Sequence, residues 1–366
     1  EWGLSVKANV EHAEKCYMKA LEHECIYAYS YMAQHCRLVK QDKDMAIAYA
    51  KKGVDSHDER SYGQLCSCYY ECGDYKAHED LLKSMLKENY RSAYYYYGDY
   101  YLGRWNEKNI EVYKDKAIKY LEIALKSQEY RACGSLALYY YNQGDFVKSR
   151  LYAEEGVKKF DSFSSTMMYY LEIQDDNYAA AWDAALERWN LYGTGGDLLG
   201  ELYLDKGYRP EDFSIYELVR ILEICSMYSH QCCNYLVRLY TEDEFAINDP
   251  VLARKYKKLA ADSGEVEDAV EYGMSLMDMN SEDFDPIKGE TYLTNAIQKG
   301  NAEASKFLLE YWKEADNPYF LNEKRNLVLA KKAYHLNDDF FELLYPTDVD
   351  AENVDSFMDF LVTIID

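Results

Sequence analysis

A chain of 366 residues is long enough for two or three compact domains or one extended array, and no apolar run approaches the roughly 18–20 residues that span a bilayer. Lysine and arginine total 41 against 65 aspartates and glutamates, a formal charge of −24 that repels a phosphate polymer, so neither nucleic acid nor a membrane span is expected. Basic protein surfaces are the natural electrostatic partners, although acidic charge also serves solubility.

Ten cysteines fall mostly inside helical patterns of a chain large enough to bury a core without staples. Buried thiols in a reducing, cytoplasmic setting are expected, and a secreted or periplasmic setting is the less favoured reading. Forty tyrosines suit thin helix pairs, which use the ring as an apolar spacer with its hydroxyl at the rim.

One pattern recurs from end to end: a small residue, an aromatic or apolar residue three later, and a small residue four after that. In chain order it is carried by Ala13, Cys16 and Ala20, then Ala46, Tyr49 and Gly53, with a degenerate copy at His78, Leu81 and Met85. Next come Ala117, Tyr120 and Ala124, followed by Ser149, Tyr152 and Gly156. Ala179, Trp182 and Leu186 are looser, and Glu217, Arg220 and Ile224 keep only an apolar third position.

The pattern is clearest in Asp249–Gly264 and Asp285–Gly300, which align without a gap 36 residues apart. Each opens on Asp-Pro, runs through Ala253, Tyr256 and Ala260 or Gly289, Tyr292 and Ala296, and closes on Gly. Asn326, Leu329 and Ala333 end the series before Tyr345-Pro346, where proline breaks the helix.

Positions i, i+3 and i+7 share one helix face, so these residues form a stripe. Small side chains at both ends admit a neighbouring helix, and the ring between them fills the gap. One such pair cannot bury its apolar face alone, and stacking completes the core. The spacing predicts an all-α solenoid of about ten helix pairs, roughly 30–40 residues apart.

The intervening helices read Leu199-Gly200-x-x-Tyr203, Ala269-x-x-Tyr272-Gly273-x-x-Leu276 and Ala304-x-x-Phe307-Leu308-x-x-Tyr311. Followed by Ala-x-x-Tyr-x-x-x-Ala, this resembles the Sel-one-like repeat, a branch of the tetratricopeptide superfamily. The turns Glu71-Cys72-Gly73-Asp74 and Asn142-Gln143-Gly144-Asp145 look like tetratricopeptide turns, and a longer connection is expected over Gly103–Asp115. The resemblance implies a right-handed superhelix, with tetratricopeptide-like repeats over 1–190 and Sel-one-like repeats over 191–345. Residues 346–366, with Val354, Phe357, Met358, Leu361 and Ile364 at helical spacing, are expected to form a capping helix.

Some secreted bacterial members of that family bridge cysteines at the spacing of Cys225 and Cys233. One period on, these align with Ala261 and Ala269, so the resemblance makes the two a candidate disulfide.

Catalytic motifs are absent from the sequence. The seven histidines form no His-Glu-x-x-His, and no Gly-x-Ser-x-Gly elbow or Walker loop is present. Gly193-Thr194-Gly195-Gly196-Asp197 lacks a lysine and a preceding strand, and reads as an inter-helix turn. Cys66 and Cys68 point about 200° apart on a helix, at about 100° per residue, so they cannot share a zinc and read as packing. No cofactor, no metal and no enzymatic activity are expected.

Three segments, Arg60–Tyr70, Arg91–Tyr101 and Arg131–Tyr141, align without gaps, each opening on Arg and closing on a Tyr pair. In the tetratricopeptide register the first tyrosines (Tyr69, Tyr100, Tyr140) are core residues. The second ones (Tyr70, Tyr101, Tyr141), with Arg60, Arg91, Arg131 and Asn142, line the concave groove. A ladder of guanidinium groups beside phenols suits an acidic peptide or one with a free carboxylate. The plainer reading has each Arg paired with acids of the adjacent repeat. The resemblance implies a non-catalytic scaffold or adaptor for a protein or peptide. The alternative is a peptide-responsive regulator or toxin-neutralising, immunity-type protein with a basic partner.

Overall fold

The computed structural model describes residues 10–108 and 110–313. The expected cap over 346–366, the Asn326–Ala333 copy and the break at Tyr345-Pro346 lie outside the described residues.

Among the described residues the helices are α1 (Val10–Glu22), α2 (Ala28–Leu38), α3 (Lys43–Asp55), α4 (Glu59–Glu71), α5 (Tyr75–Lys87) and α6 (Ala93–Lys108). They continue as α7 (Glu111–Lys126), α8 (Arg131–Asn142), α9 (Phe146–Lys158), α10 (Ser162–Gln174), α11 (Tyr178–Tyr192) and α12 (Gly196–Gly200). Then follow α13 (Ile215–Cys225), α14 (His230–Thr241), α15 (Pro250–Asp262), α16 (Val266–Met277), α17 (Pro286–Gln298) and α18 (Ala302–Lys313). A π-helical turn, Glu201–Asp205, prolongs α12 and places Tyr203 in the core. No helix among the described residues is long and apolar enough to cross a membrane.

The chain is an α-solenoid of helix hairpins. Two compact units are present, one up to Tyr228 and one from Ser229. In the first unit α2 pairs with α3, α4 with α5 and so on to α12 with α13, while α2, α4, α6, α8 and α10 pack side by side. In the second, α14 pairs with α15 and α16 with α17, and α18 packs on both α16 and α17.

Every described copy of the small–aromatic–small pattern falls on an odd-numbered helix, from α1 to α17. Ala46, Ala117, Ala124, Ala253, Tyr256, Ala260 and Ala296 are all buried, as the stripe requires. In two copies the register slides. α11 buries Ala181, Trp182 and Ala185, and α13 buries Leu218, Ile221, Leu222 and Cys225. Glu217 and Arg220 stay exposed, because turning their charges into a dry interface without partners is costly.

The Asp-Pro marks have a local cause. The Asp249 carboxylate accepts from the amides of Val251 and Leu252 at 3.0 Å, and Asp285 from that of Lys288 at 3.2 Å. Proline follows each cap at the first helical position, where its missing N–H costs nothing. At the α16–α17 crossing two glycines face each other, and a Cβ on Gly289 would lie 2.7 Å from the Gly273 carbonyl.

The long Gly103–Asp115 connection is not formed. α6 continues to Lys108 because Trp105 is buried there, its ring 5.6 Å from that of Tyr139, and α7 begins at Glu111. The expected turns are present, with Gly73 and Gly144 left-handed at φ +70° and +72°.

Cys66 packs with Tyr62, Tyr97 and Tyr100, whereas Cys68 packs with Met32, Cys36 and Ala46, so the two serve separate clusters. Cys225 and Cys233 are buried thiols rather than a cystine. The Cys225 sulfur is turned towards Gly196, whose added Cβ would lie 2.8 Å from it, and lies 2.9 Å from the Tyr228 hydroxyl, which donates to the Gly193 carbonyl at 2.6 Å.

Candidate functional site

A groove of about 670 Å³ runs between α4, α6 and α8. Arg60, Gln64, Ser67 and Tyr70 border it from α4, Tyr95, Tyr96, Asp99, Tyr100 and Asn106 from α6, and Arg131 from α8. His78 reaches it from α5 and Phe163 from α10.

Two glycines let tyrosines cross from one repeat to the next. A Cβ on Gly63 would lie 2.3 Å from the Tyr96 hydroxyl, and one on Gly103 would lie 2.5 Å from that of Tyr70. Each therefore keeps open a lane for a phenol from a neighbouring helix.

A smaller hollow of about 430 Å³ adjoins the helix starts, lined by Glu59, Arg60, Arg91, Ser92, Tyr96, Glu129 and Arg131. Arg60, Arg131 and Tyr96 thus border both spaces. The three arginines are used differently. Arg131 sets its fork on Glu129 at 2.9 and 3.1 Å, donates to the Tyr96 hydroxyl at 3.0 Å and lies over the Tyr95 ring at 4.5 Å. Burial works against its charge, but Glu129 and Tyr96 prevail and hold the guanidinium more firmly protonated than usual.

Arg91 closes the end of α7, donating to the Ser127 carbonyl at 3.1 Å and to that of Gln128. A cation there satisfies carbonyls that the helix leaves open. Arg60 is exposed, donates to the Tyr31 hydroxyl at 2.9 Å and has no carboxylate partner among the described residues. The expected ladder of three available guanidinium groups is therefore reduced to one available group beside two that also serve the fold.

The tyrosines divide as well. Tyr70 borders the groove and donates to Glu107 at 2.5 Å, and Glu107 also receives Arg104 at 3.0 Å. Tyr101 does not line the groove. It is buried among Tyr97, Tyr113 and Tyr120, while Tyr100, buried in the core as expected, also borders the groove and donates to Glu79 at 3.1 Å. Neighbouring residues point about 100° apart on a helix, and in α6 the tyrosine nearer α7 is the second of the pair. Tyr141 is half-buried against Phe146 and Tyr170, and Asn142 is exposed at the end of α8; neither borders the groove.

Residues that the alignment passed over contribute more. Asp99 is exposed to the groove while protein closes around it on the other sides, and that partial burial pushes its carboxyl up, tempered by the water in the groove. The Ser135 hydroxyl at 3.2 Å and the charge of Arg131 oppose that shift. Its folded-state pKa lies above its unfolded value, so the folded chain binds more protons between the two and stability falls as pH rises through that window. Asp99→Asn is expected to raise the melting temperature at pH 7 and to flatten its decline above the ordinary aspartate range of about 4. Melting curves at pH 4, 5.5 and 7 check this.

His78 is buried against Tyr70 and Tyr100, and neither ring nitrogen has a hydrogen-bond partner within the described residues. Burial pulls its pKa down to about 4, so it is neutral at pH 7. Among the described residues no group of three His, Cys, Asp or Glu is placed to hold a metal ion.

No family model matches the sequence, and neither does any curated protein. Among solved structures, the chain is similar to a Sel1 repeat protein from Oxalobacter formigenes, at 15% identity over 94% of this chain and 95% of that one, with a TM-score of 0.48. It is also similar to a protective antigen of uropathogenic Escherichia coli displaying an SLR fold, at 14% identity over 92% and 74%, with a TM-score of 0.43. A third is human IFIT1, solved as a dimer with m7Gppp-AAAA, at 12% identity over 100% and 96%, with a TM-score of 0.41.

Proposed function

We propose that the chain is a non-catalytic scaffold that holds an extended protein or peptide segment in the groove between α4, α6 and α8. The observation that carries this reading is the groove's lining. Rings of Tyr70, Tyr95, Tyr96 and Tyr100 supply apolar surface with polar rims, and Arg60, Gln64, Asp99 and Asn106 supply directional groups. Tyrosine gives large contact area for few rotatable bonds, which keeps the entropy lost on binding low. The groove is also built jointly by successive repeats, so its shape is fixed by the same packing that holds the solenoid together.

The test is site-specific crosslinking. A photoreactive benzoylphenylalanine at Asn106, exposed beside the groove, is expected to crosslink the native partner in a lysate, and the same group at Lys119 on α7 is not. Equal labelling at both positions, or labelling at Lys119 alone, would place the binding face elsewhere.

A further inference from the structure

We infer that the hollow at the starts of α4, α6 and α8 is a binding site for one phosphate monoester, carried by a phosphorylated side chain of the segment held in the groove. The inference deepens the groove reading, since Arg60, Arg131 and Tyr96 border both spaces.

The first support is convergence. Arg60, Arg91 and Arg131 border a single hollow instead of being spaced along the groove. Acids outnumber bases 65 to 41 in the chain, yet neither Arg60 nor Arg91 has a carboxylate partner among the described residues. Arg60 and Arg131 also sit at the starts of α4 and α8, where a cation opposes the helix dipole, while the Arg91 guanidinium is held at the end of α7. An anion in the hollow reverses that unfavourable term, because helix starts and guanidinium groups favour the same ligand.

The second support is the count of donors left over. Arg60 uses one nitrogen on Tyr31, leaving Nε and Nη2, and Arg91 uses Nε and Nη2 on carbonyls, leaving Nη1. Tyr96 accepts from Arg131, so its hydroxyl proton is available to donate. These donors belong to three different side chains around one space. A carboxylate offers two coplanar oxygens and is satisfied by one fork, whereas a phosphate monoester offers three oxygens in diverging directions.

Two carboxylates also border the hollow. Glu129 is occupied by the Arg131 fork, and Glu59 receives the Ser92 hydroxyl at 3.4 Å. With three arginines against two glutamates the local balance is one positive charge, which favours an anion in the hollow and offsets part of the roughly −1.5 to −2 that one phosphate monoester carries. A long polyanion would instead meet the chain's overall −24.

The probe is phenyl phosphate, whose ring suits the tyrosine lining, added to the full chain while arginine Nε–H signals are followed by NMR. Saturable shifts of the Arg60 and Arg91 signals are expected, with affinity about tenfold weaker in Arg60→Ala and unchanged in Arg220→Ala, an exposed arginine on α13. Non-saturable shifts, or equal affinity in Arg60→Ala, would overturn the site. Benzoate binding as tightly as phenyl phosphate would overturn the phosphate assignment in favour of a carboxylate. A 5′-phosphorylated trinucleotide binding more tightly would overturn the peptide assignment in favour of nucleic acid. The crosslink at Asn106 reads groove occupancy separately, so it can persist when the phosphate site fails.

Discussion

Leu121→Ala is expected to lower the stability of the first unit by about 3–4 kcal/mol, the usual loss when a fully enclosed leucine is truncated. Leu121 is 0% exposed, and its side chain fills the space that Gly98 leaves on α6. A Cβ on Gly98 would lie 2.5 Å from the Leu121 Cγ and 3.0 Å from its backbone nitrogen. Gly98→Ala alone is expected to cost about 1–2 kcal/mol, because overpacking exceeds the helix propensity that alanine gains. Combined, the two changes partly offset each other, since the shortened residue 121 clears the worst contact while the backbone contact persists. The double variant should be more stable than the sum of the singles predicts by about 1 kcal/mol. Urea unfolding of the four proteins gives the cycle. Strict additivity would mean that α6 and α7 do not meet through this pair.

The Gly98–Leu121 pair belongs to the layer of the molecule that the sequence announces most clearly. In the regular copies, small residues at both ends of the stripe are spaced by the helix period, and any register that buries one buries the others. Hence Ala117 and Ala124 could be placed without coordinates. Where charge competes with the pattern, as at Glu217 and Arg220, the helix turns by one residue and the forecast slips.

The groove was less legible for the same geometric reason. α6 carries six tyrosines between Ala93 and Trp105, so aromatic character cannot say which rings face α7 and which face α4. Tyr101, expected in the groove, joins the core on that account, whereas Tyr100 is buried as expected and also borders the groove. Gly63 and Gly103 held the missing signal: each marks where a phenol from another helix must pass, and together they point to Tyr96 and Tyr70. The partners of Arg91 are backbone carbonyls, which leave no trace in residue types, so three aligned arginines looked equivalent when they are not.

Gly156→Ala is expected to have the second large effect, about 3 kcal/mol, and one that grows with pH. A Cβ there would lie 1.9 Å from the Ser164 hydroxyl oxygen, 2.6 Å from the Ser164 Cβ and 2.8 Å from the Cys133 Cβ, so the serine must move. Its hydroxyl donates to the buried Asp161 carboxylate at 2.6 Å, and its amide to the same oxygen at 3.0 Å. The same arrangement recurs at Gly53, where an added Cβ would lie 1.9 Å from the Ser61 oxygen and that hydroxyl donates to Asp58 at 2.7 Å. Overpacking accounts for roughly 1–3 kcal/mol, and loss of a hydrogen bond to a buried charged group adds about as much. Burial already pushes the Asp161 carboxyl up, against the bonds from Ser164 and the amides of Phe163 and Gly134. Weakening those bonds raises it further. The folded state then holds its proton to higher pH, and the penalty for the charged form appears as pH climbs above the ordinary aspartate range. The deficit of Gly156→Ala relative to the natural chain should therefore be larger at pH 7 than at pH 4. Gly144→Ala, at a left-handed turn with nothing within 4 Å of the added carbon, supplies a pH-independent comparison. Equal deficits for Gly156→Ala at both pH values would leave steric crowding as the whole effect and detach Ser164 from the Asp161 charge.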